Sequence, residues 1–499
     1  MDTNGRRGDV TNALQGYLQI LDTIQKEKKM NWGKMPESMS QYEFYRRAIE
    51  MSPDVFEVHS PYDKLVKQIN TFPEFADALN KYDYDKAYVN KLLADTFKNK
   101  NIDNKDKGLI NELVLGSIEN RYLLDFIISQ FSKIKIKKMS VSVRNILEMG
   151  TYQLLFLDKI PDSAVCNESV KLAKKYANRS SGFINAVLRN ISRNKYNIKY
   201  PDKTEDKIGY LSIYYSFPKW IVEKLVDQFG FEFCEDILKS SFKTYYPAIR
   251  ANILKVPNDG NGKVKTDEFI DTLKSENINI IPNEDIQNCF WVNGKLDINN
   301  SESYKNGLYT IQNPSSQLTA ITLDPKPNEI IIDVCAAPGG KTTHIAELMK
   351  NKGRVLAFDI YLINKSANRL GIDIIEAVKH DSSIFKPELV EYADRVLVDA
   401  PCSGFGVIHT KPDIKWHRNE NDIKELIKIQ EKILSVSSKY VKKGGTLVYS
   451  TCTILKDENE IQISKFLSEN RDYKLISEKR LFTHIDGGSG FYIAKLKRI

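Results

Sequence analysis

The sequence predicts an α/β Rossmann-like domain with a doubly wound, mostly parallel sheet over residues 313–499. An all-helical domain over 81–194 and a small α+β linker module over 195–312 precede it. Three observations carry this prediction. Beyond Asn313, short β-rich runs at 330–334, 354–358, 395–398 and 446–449 alternate with helical stretches, the rhythm of strands joined by crossover helices. Between about 82 and 194, apolar residues recur at three-to-four spacing, as in Leu109, Ile110, Leu113, Val114 and Ile118, then Ile146, Leu147, Tyr152, Leu154 and Leu155. A chain of 499 residues with 41% hydrophobic content is too long for one ordinary core and apolar enough to build two or three.

Residues 1–80 mix aromatics, charges and isolated prolines (Pro36, Pro53, Pro61, Pro73) without sustained periodicity, so no function is assigned to them. The helical region carries the charge. The window 97–194 holds 17 Lys and Arg against 9 Asp and Glu, which accounts for the whole net charge of +8. A localised basic domain is the footprint of nucleic-acid binding, although a solvated lysine-rich helix face gives the same count. Within it, Phe131-Ser132-Lys133-Ile134-Lys135-Ile136-Lys137-Lys138 alternates like a strand but reads better as a basic connector that touches phosphate. The linker module contains a helical stretch near 220–239 and polar turns such as Asn258-Asp259-Gly260-Asn261-Gly262.

No run approaches the roughly eighteen apolar residues that span a bilayer, and the polar start at 1–7 lacks the apolar core of a secretory signal, so a cytoplasmic protein is expected. The six cysteines (166, 234, 289, 335, 402 and 452) form no CxxC pair, and the six histidines show no metal-ligand spacing. Reduced thiols and no metal are expected.

Every candidate functional string sits at the carboxyl end of a predicted strand, where doubly wound sheets bind ligands. After the first strand comes Cys335-Ala336-Ala337-Pro338-Gly339-Gly340-Lys341-Thr342, whose small residues admit close backbone approach ahead of a helix N-terminus. A phosphate-binding P-loop needs glycine at 335, where this chain has Cys335, and a dinucleotide GxGxxG is absent. S-adenosylmethionine is then the best Rossmann-type ligand. Asp359, ending the second strand, is placed to accept hydrogen bonds from ribose hydroxyls, and Asp381 lies where the loop after the third strand meets an adenine. Taken singly, an Asp at a strand end is more often a cap or turn residue, and these acids gain force only from their order after the glycine loop.

Two further strings, Asp399-Ala400-Pro401-Cys402 and Ser450-Thr451-Cys452, each end in cysteine just past a strand. One thiolate can activate a pyrimidine by adding to its ring, and a second thiol can help release the product. An isolated cysteine would more often be a small core residue. Cys166, Cys234 and Cys289 are read that way.

Together, the cofactor loop at 333–342 and the cysteine motifs at 398–404 and 449–453 resemble the catalytic domain of the Nol1/Nop2/Sun family of RNA 5-methylcytosine methyltransferases. Gly406-Val407-Ile408, Lys411-Pro412-Asp413-Ile414-Lys415-Trp416 and the closing segment 490–496 resemble its bacterial ribosomal branch, and 97–194 resembles a NusB-type RNA-binding domain. The resemblance implies methylation of carbon 5 of a cytosine in small-subunit rRNA. Cys452 would be the nucleophile, Cys402 would assist elimination, and Asp399 would hold the base at nitrogen 3. Residues 335–341 with Asp359, Asp381 and Asp399 would hold S-adenosylmethionine. It also implies small-subunit rRNA as partner and a monomer. The target base must be unpaired or flipped. Trp416 and its basic neighbours either hold RNA near the site or belong to the core. The same chemistry on tRNA is an alternative, as is a non-catalytic RNA-binding factor, against which the retention of both cysteines argues. Three features depart from the family: a helix after Asp359 shorter by about one turn; Asn313 where an acid is usual, with a less basic 408–411 segment; and first 80 residues unlike the family's normal start.

Overall fold

The computed structural model describes residues 79, 82–83, 89–98, 104–243, 245–294, 296–358 and 362–499; residues 1–78 and Asp359 lie outside the described residues. The predicted helical bundle contains α1 (Val89–Lys98), α2 (Asn104–Glu119), α3 (Arg121–Phe131), α4 (Val141–Phe156), α5 (Asp162–Tyr176) and α6 (Ser181–Asn194). Helix α4 is its centre, buried almost all round and packed against α2, α3, α5 and α6. Its ring Tyr152 lies on α2 at Gly116, where any Cβ would collide with it. Arg121, itself buried, pairs with Asp83 at 2.7 Å and Glu148 at 3.2 Å. Burial pushes Glu148 up to about 7 against the pull of Arg121 and Arg144. The segment after α3 is a connector, with Lys133, Lys135, Lys137 and Lys138 facing solvent.

The linker module opens with α7 (Lys207–Tyr214), α8 (Lys219–Phe229) and α9 (Phe231–Ser240). The single helical stretch predicted near 220–239 is two helices, because Gly230 takes φ 82° and turns the chain between them. An antiparallel sheet follows, made of β1 (Ala248–Ala251), β2 (Ile280–Pro282), β3 (Cys289–Val292) and β4 (Tyr309–Ile311) in the order β2-β3-β1-β4. Helix α10 (Thr266–Lys274) covers it through Phe269 and Leu273.

The C-terminal region builds the predicted doubly wound sheet. Helix α11 (Pro314–Leu323) leads into β5 (Ile330–Asp333), α12 (Gly340–Leu348), β6 (Arg354–Phe358), α13 (Leu362–Leu370), β7 (Ile375–Val378) and β8 (Ala393–Asp399). Next come α14 (Ile414–His417), α15 (Glu420–Ser438), β9 (Val441–Thr451), α16 (Glu460–Glu469), β10 (Tyr473–Leu481) and β11 (Phe491–Arg498). Strand order is β10-β11-β9-β8-β5-β6-β7, with β5 to β9 parallel and β11 antiparallel to both its neighbours. Alternate residues of the central strands enter opposite layers: Ile332, Leu356, Val396 and Leu447 one, Ile331, Val355, Leu397 and Val448 the other. After β7 the chain returns to the far side of β5, so β5 and β8 flank the switch point. Asn313, the departure from the family's acid, caps α11 by accepting from the Ser315 N–H at 3.0 Å.

Two contacts fix the other regions to this sheet. Arg250 of β1 reaches α12, pairing with Glu347 at 2.6 Å and donating to the Gly340 carbonyl at 3.1 Å and to Gln312. Trp416 donates its indole N–H to the Ile118 carbonyl at 2.7 Å and stacks on Tyr122, while Lys415 donates to the Glu119 carbonyl at 2.7 Å. Of the two readings of Trp416, packing is the one its contacts support: it joins α2 and α3 to the segment that follows β8. Lys415 is fully buried, and burial lowers it to about 7 against the opposing charge of Glu119.

Arg250 and Glu347 are each 1% exposed, so removing one strands the other. Arg250→Ala is expected to destabilise the protein by about 3–5 kcal/mol in denaturant unfolding, and Arg250→Met with Glu347→Leu to recover part of that loss.

Candidate active site

Strand β5 ends in a buried carboxylate around which the following loop folds. Asp333 accepts from the Thr342 hydroxyl at 2.7 Å and from the Cys335 N–H at 3.3 Å. Burial pushes it up to about 7, opposed by the Thr342 hydrogen bond. Gly339 takes φ 102° and would press a Cβ against the Ile363 backbone at 3.2 Å, while Ala337 and Pro338 stand exposed at the tip. Burial, with Asp333 and Asp399 nearby, raises the Cys335 thiol well above its ordinary range, so this sulfur stays protonated.

Lys341, in the first turn of α12, crosses to the end of β8, where its ammonium meets Asp399 at 2.7 Å. The other Asp399 oxygen accepts from Ser450 at 2.8 Å. Burial by itself would lower Lys341, but the charge and hydrogen bond of Asp399 outweigh it and hold the ammonium charged. Two strand ends and the first turn of a helix thus contribute to one polar group. The loop after β7 closes beside it, since the Ser382 hydroxyl bonds the Val334 carbonyl. Asp381 itself stays at the surface, accepting from the Ser383 N–H at 2.9 Å.

The two cysteines meet. Strands β8 and β9 run parallel with Asp399 opposite Ser450, which brings the loops beyond both strands to one edge. There the Cys402 and Cys452 sulfurs lie 3.2 Å apart, both as free thiols. The Cys402 hydrogen bond lowers Cys452, against burial and Asp399 and with help from Lys341 and Lys411. The same bond, burial and the charge of Cys452 raise Cys402. The surroundings therefore favour ionisation of Cys452 over Cys402. Gly406 keeps the loops together: its N–H donates to the Cys452 carbonyl at 2.9 Å, its carbonyl accepts from Gly490 at 2.7 Å, and a Cβ there would strike the Gly490 carbonyl.

Of the residues singled out from sequence, Cys335 to Lys341, Asp399, Cys402 and Cys452 gather at the switch point. Sequence reading missed Ser450, Ser403, Arg250 and Glu458. The serines flank the cysteine motifs and were open to notice. Glu458 sits in the run Asp457-Glu458-Asn459-Glu460, which looks like a solvated acidic turn, yet it is completely buried. The weakly basic 408–411 segment has a physical basis: His409 is an interior ring packed edge-on against Tyr245, and burial lowers it to about 4. Among the described residues no three His, Cys, Asp or Glu side chains are grouped to hold a metal ion, and no helix is long and apolar enough to cross a membrane.

Comparison with known proteins agrees with this arrangement. A family model described as 16S rRNA methyltransferase RsmB/F matches residues 320–497, and one for the NusB family matches residues 74–193. The Bacillus subtilis protein named probable ribosomal RNA small subunit methyltransferase B is 36% identical over 446 residues, covering 85% of this chain and 97% of its own length. The Proteus mirabilis ribosomal RNA small subunit methyltransferase B is 32% identical over 408 residues, covering 80% and 92%. Among solved structures, PH0851 superposes with a TM-score of 0.71 at 26% identity over 87% of this chain and 99% of its own. A methyltransferase homolog from Pyrococcus horikoshii gives 0.52 at 27% identity, over 59% and 100%. With its NusB-family helices, its cofactor-type loop at the switch point of the sheet and its paired cysteines, the chain belongs to the RsmB/F family of 16S rRNA methyltransferases.

Proposed function

We propose that the protein methylates carbon 5 of a specific unpaired cytosine in small-subunit (16S) rRNA through a covalent adduct with Cys452. The observation that carries this reading is the 3.2 Å apposition of Cys402 and Cys452 beside the Lys341–Asp399 pair. The reading takes 81–194, 195–312 and 313–499 as working domains, the first positioning the RNA, and it takes the protein to be a cytoplasmic monomer that needs no metal.

The loop 335–341 suits S-adenosylmethionine: small side chains, an exposed tip and a helix N-terminus at the switch point let a nucleoside-bearing ligand approach the backbone closely. Residues 335–341, Asp359, Asp381 and Asp399 would hold it. When bound, it supplies an electrophilic methyl group on a positively charged sulfur. Carbon 5 of cytosine is too poor a nucleophile to take that group unaided. Cys452 therefore adds to carbon 6, and the displaced electron pair moves toward carbon 5 while Asp399 supports nitrogen 3 by a hydrogen bond or a proton. Once carbon 5 carries both methyl and hydrogen, its proton passes to a solvent water, the ring double bond re-forms and the carbon–sulfur bond breaks with its electrons returning to Cys452. Cys402, already hydrogen-bonded to that sulfur, stabilises the departing thiolate.

With labelled S-adenosylmethionine and deproteinised small-subunit rRNA, Cys452→Ala is expected to abolish both transfer to 5-methylcytosine and any denaturant-stable protein–RNA adduct. Cys402→Ala is expected to accumulate that adduct; label in RNA that survives Cys452→Ala would refute the assignment. Asp399→Asn, which removes the ion pair with Lys341, is expected to lower kcat by about 10²–10⁴ in the same assay. Because the reaction needs the Cys452 thiolate, kcat/KM should rise with pH, with its limb below the free-thiol value of about 8.5. Lys341→Met withdraws a charge that lowers Cys452 and should move the limb to higher pH.

A further inference from the structure

The carboxylate of Glu458 lies between the two cysteine loops. It is fully buried in the turn between β9 and α16. One oxygen accepts from the Ser403 N–H at 2.8 Å and from Gln430 at 3.0 Å, and the other accepts from the Ser403 hydroxyl at 2.5 Å. Ser403 follows Cys402, and its hydroxyl lies 2.8 Å from that of Thr453, which follows Cys452. The same Gln430 amide donates to the Pro401 carbonyl at 2.9 Å, so the Cys402 loop is held from both sides. The Glu458 main-chain carbonyl accepts from Tyr449 of β9 at 2.8 Å, which anchors the turn to the strand that delivers Cys452.

We propose that Glu458 is a positioning residue that decides which of the two adjacent cysteines is the nucleophile: it fixes the Cys402 loop against Cys452 and places a negative charge on the Cys402 side. The charges around the pair differ in the direction this requires. Asp399 opposes ionisation of both thiols, whereas the Glu458 charge opposes that of Cys402, and Lys341 and Lys411 favour that of Cys452. The proposal rests on the reading of Cys452 as nucleophile, but its test needs no turnover.

Folded, RNA-free protein is treated with limiting iodoacetamide near neutral pH, and the ratio of Cys402 to Cys452 alkylation is read by peptide mass spectrometry. Glu458→Gln keeps the shape and an acceptor for the Ser403 N–H while deleting the charge. It is expected to raise the ratio about tenfold, the change that one unit of relative thiol acidity produces. Ser403→Ala removes a brace and keeps the carboxylate, and should leave the ratio within about twofold of wild type, because the nearby charge that separates the two thiols is retained. An unchanged ratio in Glu458→Gln, or an equal rise in both variants, overturns the proposal, because a purely architectural role loosens both thiols together. If Glu458→Gln does not fold, the wild type decides: Cys452 must be alkylated faster than Cys402, and equal labelling overturns the proposal. A shifted ratio in a protein that methylates no RNA would retain the role of Glu458 and remove the reaction.

Discussion

Two sulfur atoms held 3.2 Å apart just beyond the carboxyl ends of two adjacent parallel strands are the constraint around which the C-terminal region is organised. Neither cysteine is in a strand; each lies just beyond one, so their separation depends on the register of β8 and β9, which sets Asp399 opposite Ser450. A slip of one residue would turn one side chain to the opposite face and abolish the pair. The Gly406–Gly490 contact adds a backbone approach that no larger residue permits, and the buried carboxylate of Glu458 bridges what remains.

Placing this pair in the interior creates an electrostatic problem that the same fold resolves. Asp399, Lys341, Asp333 and Glu347 are largely withdrawn from water, where unpaired charges are costly. Each has a partner from a different element: Lys341 for Asp399, Thr342 for Asp333, Arg250 for Glu347. Arg250 comes from the linker sheet and also bonds the Gly340 carbonyl, so the linker module buttresses the turn that begins the cofactor-type loop helix. The loop that carries Cys402 is supported in a similar way from the helical side, through Asp413, Lys415 and Trp416 on the ends of α1 and α2. The segment that follows the chemistry is therefore also the one that seats the helical domain.

The alternation of strands and helices beyond Asn313, the helical spacing before residue 194 and the motifs at 335–341, 399–402 and 450–452 were all readable in the chain, because period, turn chemistry and strand-end position are local properties. They placed every strand of the parallel core that was named and every cysteine that meets at the site. What local pattern could not supply was burial and partnership. Trp416 and Lys415 read in sequence as either an RNA contact or core, and their partners lie on α2 and α3; Glu458 looks like a solvated acid, yet it is fully enclosed; Gly230 divides what reads as one helix. The sequence by itself determined the fold class and which residues stand just beyond the carboxyl ends of the strands. Only the tertiary structure decided which charge faces which thiol, because that depends on contacts between residues fifty or more positions apart, made when β8 and β9 pair and the loops beyond them close.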